Sequence, residues 1–399
     1  MVYNSFQDLK LSALGLGAMR LPVVDGDDSK IDAEETERLI DYAMEHGINF
    51  FDTAWGYHGG NSEAVVGKIL SKYPRDSYYL ATKFPGYDLG NMAKVEEIFE
   101  EQLRRCGVEY FDFYFFHNVS EKNIDAYLNK EYGVFAYLKK QKENGRIRHL
   151  GFSTHGEVEN IREFLDTATG RHMEFCQIQL NWMDWTFQRA KEKVELLNER
   201  GLPVWVMEPL RGGKLLNLDQ SDVETLKKLR PEETVYSWGL RFLQTVPGVT
   251  MVLSGLSSAV QTEENTRTFS EHKPLSEEEW NALQTIAAQM IEKKILPCTG
   301  CRYCVSHCPQ KLNIPKLLDM YKQMCLTPND FIAPRALLAM PVETRADACI
   351  ACRACERVCP QGIKISEALA DFVERAEACF QIRGTDISAF PPFKTRRKP

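Results

Sequence analysis

A chain of 399 residues, 44% hydrophobic and 26% charged, has the balance of a folded globular protein, which excludes a disordered polypeptide. A formal net charge of -7 excludes the basic face that a nucleic-acid partner needs. The length exceeds one ordinary core, so a barrel-sized domain with a smaller appendage is expected.

The stretch Met1 to Lys10 lacks the cationic and apolar blocks of a signal peptide, and no apolar run is long enough to span a bilayer. The reading is a cytoplasmic protein without a membrane partner. Residues 3 to 12 suggest a hairpin that plugs the bottom of a barrel. From residue 13 to 270, short apolar runs alternate with segments of helical period, the pattern of βα units around a parallel sheet. The apolar runs are Ala13-Met19, Ile48-Thr53, Tyr78-Lys83, Phe111-His117, Ile147-Ser153, Phe175-Leu180, Pro203-Met207 and Val249-Ser254. Helical segments are expected at 34 to 46, 61 to 72, 91 to 106, 132 to 144, 157 to 168, 187 to 200, 232 to 245 and 258 to 269. Gly47, Gly145 and Gly201 stand where helices need a C-terminal glycine. Eight such pairs over residues 1–274 predict a (β/α)8 TIM barrel. An open doubly wound sheet is the rival, weakened because no G-x-G-x-x-G turn follows the first strand.

Residues 275–296 read as an acidic linker helix opened by the capping-box pattern Ser276-Glu277-Glu278-Glu279. Two copies of a C-x2-C-x2-C-x3-C-P spacing, at 298–309 and 349–360, lead to the expectation of a small ferredoxin-like α+β iron-sulfur domain at 297–380, with further helices at Pro315-Met324 and Pro334-Met340, followed by a basic tail at 381–399 to which no function is assigned. Ten of the twelve cysteines lie from residue 298 onward. Eight fall into two copies of one spacing, Cys298-x2-Cys301-x2-Cys304-x3-Cys308-Pro309 and Cys349-x2-Cys352-x2-Cys355-x3-Cys359-Pro360. Three thiolates this close wrap three corners of a cubane, and structural zinc would instead use two well-separated pairs. The runs resemble bacterial two-cluster ferredoxins, in which the fourth cysteine of each run serves the other cluster. That assigns Cys298, Cys301, Cys304 and Cys359 to one [4Fe-4S] cluster, and Cys349, Cys352, Cys355 and Cys308 to a second. Cys106, Cys176, Cys325 and Cys379 fall outside this spacing and read as small buried apolar residues.

In a (β/α)8 barrel, chemistry sits at the C-terminal strand ends. Asp52 ends the second apolar run, Tyr57 follows in its loop, Lys83 ends the third and His117 the fourth. A phenol is a poor acid at neutral pH unless a cation stabilises its phenolate, and Lys83 supplies one. Asp52 would hold Lys83 charged, and His117 would donate a hydrogen bond to a substrate carbonyl. Arg20, Trp55, Phe84, Trp182 and Trp185 are plausible pocket linings.

Asn49-Phe50-Phe51-Asp52-Thr53-Ala54-Trp55-Gly56-Tyr57 with Ser62-Glu63, then Ala81-Thr82-Lys83, then Asp112-Phe113-Tyr114-Phe115-Phe116-His117, is similar to the aldo/keto reductases throughout residues 11 to 270. The resemblance implies Tyr57 as proton donor, with Lys83, Asp52 and His117 completing a catalytic tetrad. It also implies NAD(P)H, held by Ser153, Thr154, Gln177 and Asn181 at the carboxamide end and by Met207, Pro209, Leu210, Gly212, Lys214, Gly255 and Ser257 along the ring and phosphates. Gln261, Glu264 and Asn265 would meet the adenosine end. Two positions depart from the family: Met207 stands where an aromatic residue stacks on the nicotinamide, and Gln261 where a cation meets the 2'-phosphate. The expected activity is carbonyl and alcohol interconversion on a small molecule, with the clusters relaying electrons to a partner such as a ferredoxin or flavoprotein. Alternatives are a flavin on the same barrel, or a redox-sensing or electron-carrier subunit with a vestigial barrel.

Overall fold

Eight parallel strands close into a barrel in the computed structural model, which describes residues 1–292, 296–326, 332–382 and 391–394. The strands are β3 (Leu14–Gly17), β4 (Phe50–Asp52), β5 (Tyr79–Phe84), β6 (Phe111–Val119), β7 (Ile147–Thr154), β8 (Cys176–Gln179), β9 (Val204–Met207) and β10 (Val249–Ser254), and β10 pairs with β3 to complete the ring. Each expected apolar run overlaps one of them, and β5, β6 and β7 extend one or two residues past the end of theirs. Closure fits these sequences because strands covered on both faces are mainly apolar; β6 is buried along its whole length, with Phe111, Phe113, Tyr114, Phe115 and Phe116 forming most of it.

Two further strands, β1 (Tyr3–Phe6) and β2 (Leu9–Ser12), form an antiparallel hairpin. It brings Phe6 and Leu11 into a buried cluster with Phe50, Phe113, Phe175, Trp205 and Met251. The hairpin therefore plugs the barrel, as expected. Phe175 and Trp205 stack with ring centroids 4.2 Å apart, so the interior is a packed aromatic core.

The helices run Ala33–Glu45, Ser62–Leu70, Val95–Cys106, Val134–Glu143, Val158–Asp166, Ala190–Glu199, Val235–Thr245 and Ala259–Thr268, each within an expected segment except that the first begins one residue earlier. Gly47, Gly145 and Gly201 follow three of them at φ 86°, 76° and 65°, the left-handed conformation that ends a helix at low cost. A further helix, Gln220–Leu229, was not expected; it buries only Leu226 and so has almost no apolar stripe.

The chain divides into two compact units between residues 287 and 288. The helix Glu277–Glu292 starts with the expected capping box: Glu279 N–H donates to Ser276 Oγ at 3.3 Å, and Ser276 N–H donates to Glu279 Oε2 at 2.7 Å. Its first turns are not a free linker. Trp280 stacks on Phe242 at 4.5 Å, Gln284 donates to the Trp182 carbonyl, and Leu283 and Ile286 are buried. Residues 293–295, the end of the expected linker, lie outside the described residues.

The second unit corrects the α+β expectation, because no strand occurs among its described residues. Helices Ile314–Leu326, Ile332–Leu338 and Ile365–Ile382 surround a core of Leu317, Leu318, Leu337, Leu369, Phe372 and Ala376. The long segment between the cysteine runs supplies two of these helices, and they complete the core that strands would otherwise form. The expected basic tail is partly structure: the last helix reaches Ile382, and Pro391 and Pro392 accept hydrogen bonds from Arg345. Residues 395–399 of that tail lie outside the described residues. Among the described residues no helix is long and apolar enough to cross a membrane.

Candidate active site and cysteine-lined cavities

Neighbouring strands β4, β5 and β6 bring Asp52, Lys83 and His117 to one end of the barrel, through the pairings of Asp52 with Ala81 and of Lys83 with Phe115. Tyr57 opens a helical turn, Tyr57–Gly60, just beyond β4. That turn is anchored by His58, whose Nε2 accepts from the Leu21 N–H at 3.0 Å while Nδ1 meets the Asp28 carbonyl at 2.8 Å. His58 was not singled out from sequence, and its φ of 53° is a feature only a structure reveals.

Lys83 Nζ donates to Asp52 Oδ1 at 2.5 Å, to the Thr53 carbonyl at 2.8 Å and to the Tyr57 hydroxyl at 3.3 Å. Burial pushes the Asp52 carboxyl up and the Lys83 ammonium down, and their mutual contact opposes both shifts. Three acceptors around one nitrogen match the three N–H bonds of an ammonium, so the charged form is the one this geometry fits. Gln177 donates a further hydrogen bond to Asp52. His117 is held well below the usual imidazole range, first by burial and then by the Lys83 charge. It is therefore a neutral hydrogen-bonding group. Its ring meets Tyr57 edge-on at 6.1 Å and Tyr87 at 5.0 Å.

Behind these residues lies a buried polar network that sequence reasoning missed. Thr82 Oγ1 and Gln102 Nε2 both donate to Glu63 Oε1 at 2.7 Å, Gln102 Nε2 also reaches the Lys83 carbonyl, and Tyr114 donates to Gln102 Oε1. It ties the helix Ser62–Leu70 and the helix Val95–Cys106 to β5, and so fixes the strand that carries Lys83. The signal available was Glu63 beside Ser62 in a motif whose other polar members were already assigned.

The expected cofactor residues occupy the same strand ends with different commitments. Ser153 accepts from the Asn118 N–H, and Thr154 donates to the Val119 carbonyl. Asn181 is fully engaged within the chain: it donates to Asp184 and to the Glu208 carbonyl, and accepts from the Met183 and Asp184 N–H groups. Asp184 also holds Arg211 at 2.9 Å in a buried ion pair, which fastens the loop after Met207 to the segment that follows β8. In that loop Glu208, Arg211, Gly212 and Gly213 all have positive φ, and Pro209, Leu210 and Lys214 complete it. Ser257 N–H donates to Gln261 Oε1 at 3.0 Å, and Ser257 Oγ donates to the Gly255 carbonyl. Glu264 accepts from Thr234 and pairs with Arg267. Asn265 donates to Ser254.

Two buried oxygens here, Asn265 Oδ1 and Glu208 Oε2, have no hydrogen-bond partner among the described residues. Orphaned buried acceptors fit a site completed by a bound molecule carrying N–H or O–H groups. The suggested pocket linings are mostly packed: Phe84 and Trp182 are buried, Trp185 lies against Phe242 and Trp280, and Trp55 lies under the Arg105 guanidinium at 3.8 Å. Arg20 pairs with Glu208 at 3.1 Å.

Among the described residues no disulfide joins any two cysteines. Cys298, Cys301, Cys304 and Cys359 line one cavity, with Leu318, Ile363 and Ile365. Cys308, Cys349, Cys352 and Cys355 line another, with Leu312, Ile314 and Leu369. The fourth cysteine of each run thus joins the first three of the other. Among the described residues no three His, Cys, Asp or Glu side chains converge as they would on one metal ion. Burial and the neighbouring thiols push Cys304 up, and burial with Cys349 pushes Cys355 up to about 12. Crowded thiolates need cations between them, which an iron-sulfur cluster supplies. Of the other four cysteines, Cys106 and Cys176 are buried as expected; Cys379 is half-buried and Cys325 is exposed, hydrogen-bonded to Tyr321. That corrects the buried reading for Cys325, which lies near the end of its helix.

A parallel barrel with a buried, lysine-bridged phenol at its strand ends defines a proton-handling site of the oxidoreductase kind. The chain belongs to the aldo/keto reductase family, whose model matches residues 13–288, and a model described as a 4Fe-4S dicluster domain matches residues 297–364. It is 32% identical over 215 residues to a probable aldo-keto reductase 1 from Glycine max, covering 52% of this chain and 58% of that protein. It is 29% identical over 228 residues to an NADH-specific methylglyoxal reductase from Escherichia coli, covering 52% of this chain and 66% of that protein. The chain therefore spans less than two thirds of the length of these two relatives. The holo form of an aldo-keto reductase from Bacillus halodurans matches with a TM-score of 0.58 at 26% identity, over 71% of this chain and 95% of that one. An aldo/keto reductase from Klebsiella pneumoniae, solved with NADP and acetate, shares the fold with a TM-score of 0.58 at 22% identity, over 71% and 93%.

Proposed function

We propose that this protein is a nicotinamide-linked oxidoreductase that interconverts a small-molecule carbonyl and its alcohol, and that its two cysteine sets hold [4Fe-4S] clusters which exchange electrons with a redox partner. The observation that carries the first half is the placement of Lys83 Nζ between Asp52 and the Tyr57 hydroxyl, beside a neutral His117.

In this reading Tyr57 gives its proton to the carbonyl oxygen as that oxygen gains charge. Lys83 stabilises the phenolate left behind, and Asp52 keeps Lys83 charged and in place. His117, neutral at working pH, donates a hydrogen bond that aligns the carbonyl. A nicotinamide, when bound, supplies the hydride. Ser153, Thr154, Gln177, Asn181, Met207, Pro209, Leu210, Gly212, Lys214, Gly255, Ser257, Gln261, Glu264 and Asn265 would hold it, with Asn181 also holding Asp184 and the Glu208 carbonyl. Gln261, a neutral amide engaged by the Ser257 N–H, favours NADH over NADPH. The Escherichia coli relative makes small 2-oxoaldehydes with NADH the first substrates to assay.

For the second half, the separation of the eight cysteines into two cavities supports one cluster at each. A cluster passes one electron at a time, whereas a hydride carries two. A reducing, cytoplasmic compartment suits cysteines kept as thiolates.

The test is anaerobic purification, quantification of iron and sulfide, and NADH oxidation with methylglyoxal by the wild type and Tyr57→Phe. Tyr57→Phe should abolish carbonyl reduction while retaining the iron. Unchanged reduction by that variant would end the assignment of Tyr57. Cys308→Ala should remove the same spectroscopic signal as Cys352→Ala, and Cys359→Ala the same signal as Cys301→Ala; the opposite pairing would refute the ligand sets.

A further inference from the structure

The two cysteine runs are one motif built twice. Thr299-Gly300-Cys301-Arg302 in the first copy stands where Ile350-Ala351-Cys352-Arg353 stands in the second, and Pro309-Gln310-Lys311 stands where Pro360-Gln361-Gly362 does. The backbones agree: φ is 72° at Gly300 and 55° at Ala351, 67° at Arg302 and 58° at Arg353, 52° at Lys311 and 63° at Gly362. Matching helical turns, Tyr303–Ser306 and Ala354–Arg357, carry the third cysteine of each run.

The surfaces of the two copies differ. Thr299 is 2% exposed, whereas its counterpart Ile350 is 60% exposed. Cys301 is half-buried, whereas Cys352 is exposed. Ile350 and Arg353 line the cavity ringed by Cys308, Cys349, Cys352 and Cys355, so a bare apolar side chain sits at the rim of that cavity. Exposed cations occur at and next to this stretch of chain: Arg353 lines the cavity, Lys311 lies in sequence between the lining residues Gln310 and Leu312, and Arg357 ends the turn that carries Cys355. Glu367 approaches Arg353 only to 4.0 Å, with both side chains more than half exposed, so it neutralises little of this charge. In a chain of net charge -7, a cationic rim around an apolar centre is a local exception.

Redox encounters use small interfaces, an apolar contact near the redox centre and complementary charge around it. We propose that the rim formed by Ile350, Cys352, Arg353, Lys311 and Arg357 docks an acidic one-electron carrier protein, and that the set Cys308, Cys349, Cys352 and Cys355 is where electrons enter or leave the chain. This rests on the reading that the cysteines hold redox-active clusters. The electron passes between the carrier's reduced centre, which is oxidised, and the cluster, which is reduced, with no bond made or broken.

The test mixes anaerobic holoprotein with a reduced small acidic [2Fe-2S] carrier protein and follows cluster bleaching at several salt concentrations. Titanium(III) citrate serves as a small reductant that needs no docking. The wild-type rate with the carrier should fall steeply with salt, and Lys311→Glu with Arg357→Glu should lower it roughly tenfold or more at low salt, as loss of steering predicts. Iron content and the titanium rate should be unchanged. Lys364→Glu, at the position in the other copy that matches Asn313, should have little effect. The proposal fails if the double variant matches wild type, if Lys364→Glu causes the larger loss, or if Ile350→Ser converts a dimer to a monomer, which would make the rim a contact between two copies. A wild-type protein that titanium does not bleach would instead refute the redox reading beneath it.

Discussion

Lys83 Nζ lies 2.5 Å from Asp52 Oδ1 with neither residue more than 4% exposed, so each charge depends on the other. Removing one partner of such a pair strands the other in a dry site, at a cost of about 3–5 kcal/mol. Lys83→Met should therefore be strongly destabilised and, in the proposed chemistry, should lower the rate of carbonyl reduction about 100-fold or more. Asp52→Leu combined with Lys83→Met should recover much of the stability and none of the activity. Urea unfolding followed by tryptophan fluorescence, with NADH oxidation measured alongside, checks both parts. A double variant as unstable as the single one would contradict the pair's role.

Burial holds His117 well below its ordinary value and takes His155 down to about 3. In the unfolded chain both would bind a proton near the ordinary pKa of about 6.5, so the unfolded state takes up more protons below that pH and stability falls as pH drops. Each histidine should remove about 1.4 kcal/mol per pH unit in that range. The buried carboxyls of Asp52 and Glu63 are raised and act in the opposite direction. His155→Asn isolates one contribution: unfolding at pH 7.5 and 5.5 should show a smaller loss in the variant than in wild type. Equal losses would mean that His155 is not buried as a neutral ring.

The helix Ser62–Leu70 packs against the end of the helix Val95–Cys106 so closely that a Cβ at Gly67 would lie 2.2 Å from the Cys106 carbonyl oxygen. The obstacle is backbone, which cannot rotate away. Gly67→Ala should cost about 1–3 kcal/mol, the usual penalty of overpacking. It should also reduce activity, because Glu63 lies one turn earlier and anchors the network behind Lys83. A thermal unfolding scan and the turnover rate together test this, and a fully stable, fully active variant would show that the two helices can separate freely.

Arg345, fully buried, donates to both carboxylate oxygens of Asp347 and to the carbonyls of Pro391 and Pro392, with Phe393 over its guanidinium at 4.8 Å. Asp347 also accepts from the Lys394 N–H and lies two residues before Cys349. The segment 391–394 thus clasps the loop entering the second cysteine run. Arg345→Met leaves Asp347 buried and unpaired, for about 3–5 kcal/mol. Iron should pass to a chelator faster in this variant, first from the set containing Cys349. Release at the wild-type rate would show that the clasp has no bearing on that set.

Much of the barrel could be read in advance because a strand buried on both faces has to be a short apolar run, and eight such runs were present. Asp52, Lys83 and His117 could be read because each ends such a run. The helix Gln220–Leu229 escaped because a single buried leucine leaves no periodic stripe. The network of Glu63, Thr82, Gln102 and Tyr114 escaped because its members are ordinary polar residues whose burial arises only when two helices and two strands meet. The hydrogen bonds of Asn181 to Asp184 and to the Glu208 carbonyl escaped because they join the segment after β8 to the segment after β9, which are far apart in sequence.

The order of residues by itself determined the eight strands, the capping box at Ser276 and the spacing that gathers three cysteines per run, since each depends on neighbours a few positions apart. Only the tertiary structure decided that Lys83 meets three acceptors and that Ile350 is bare where Thr299 is covered. Those outcomes arise from contacts between distant segments and from exclusion of water, neither of which acts on a chain until it has folded.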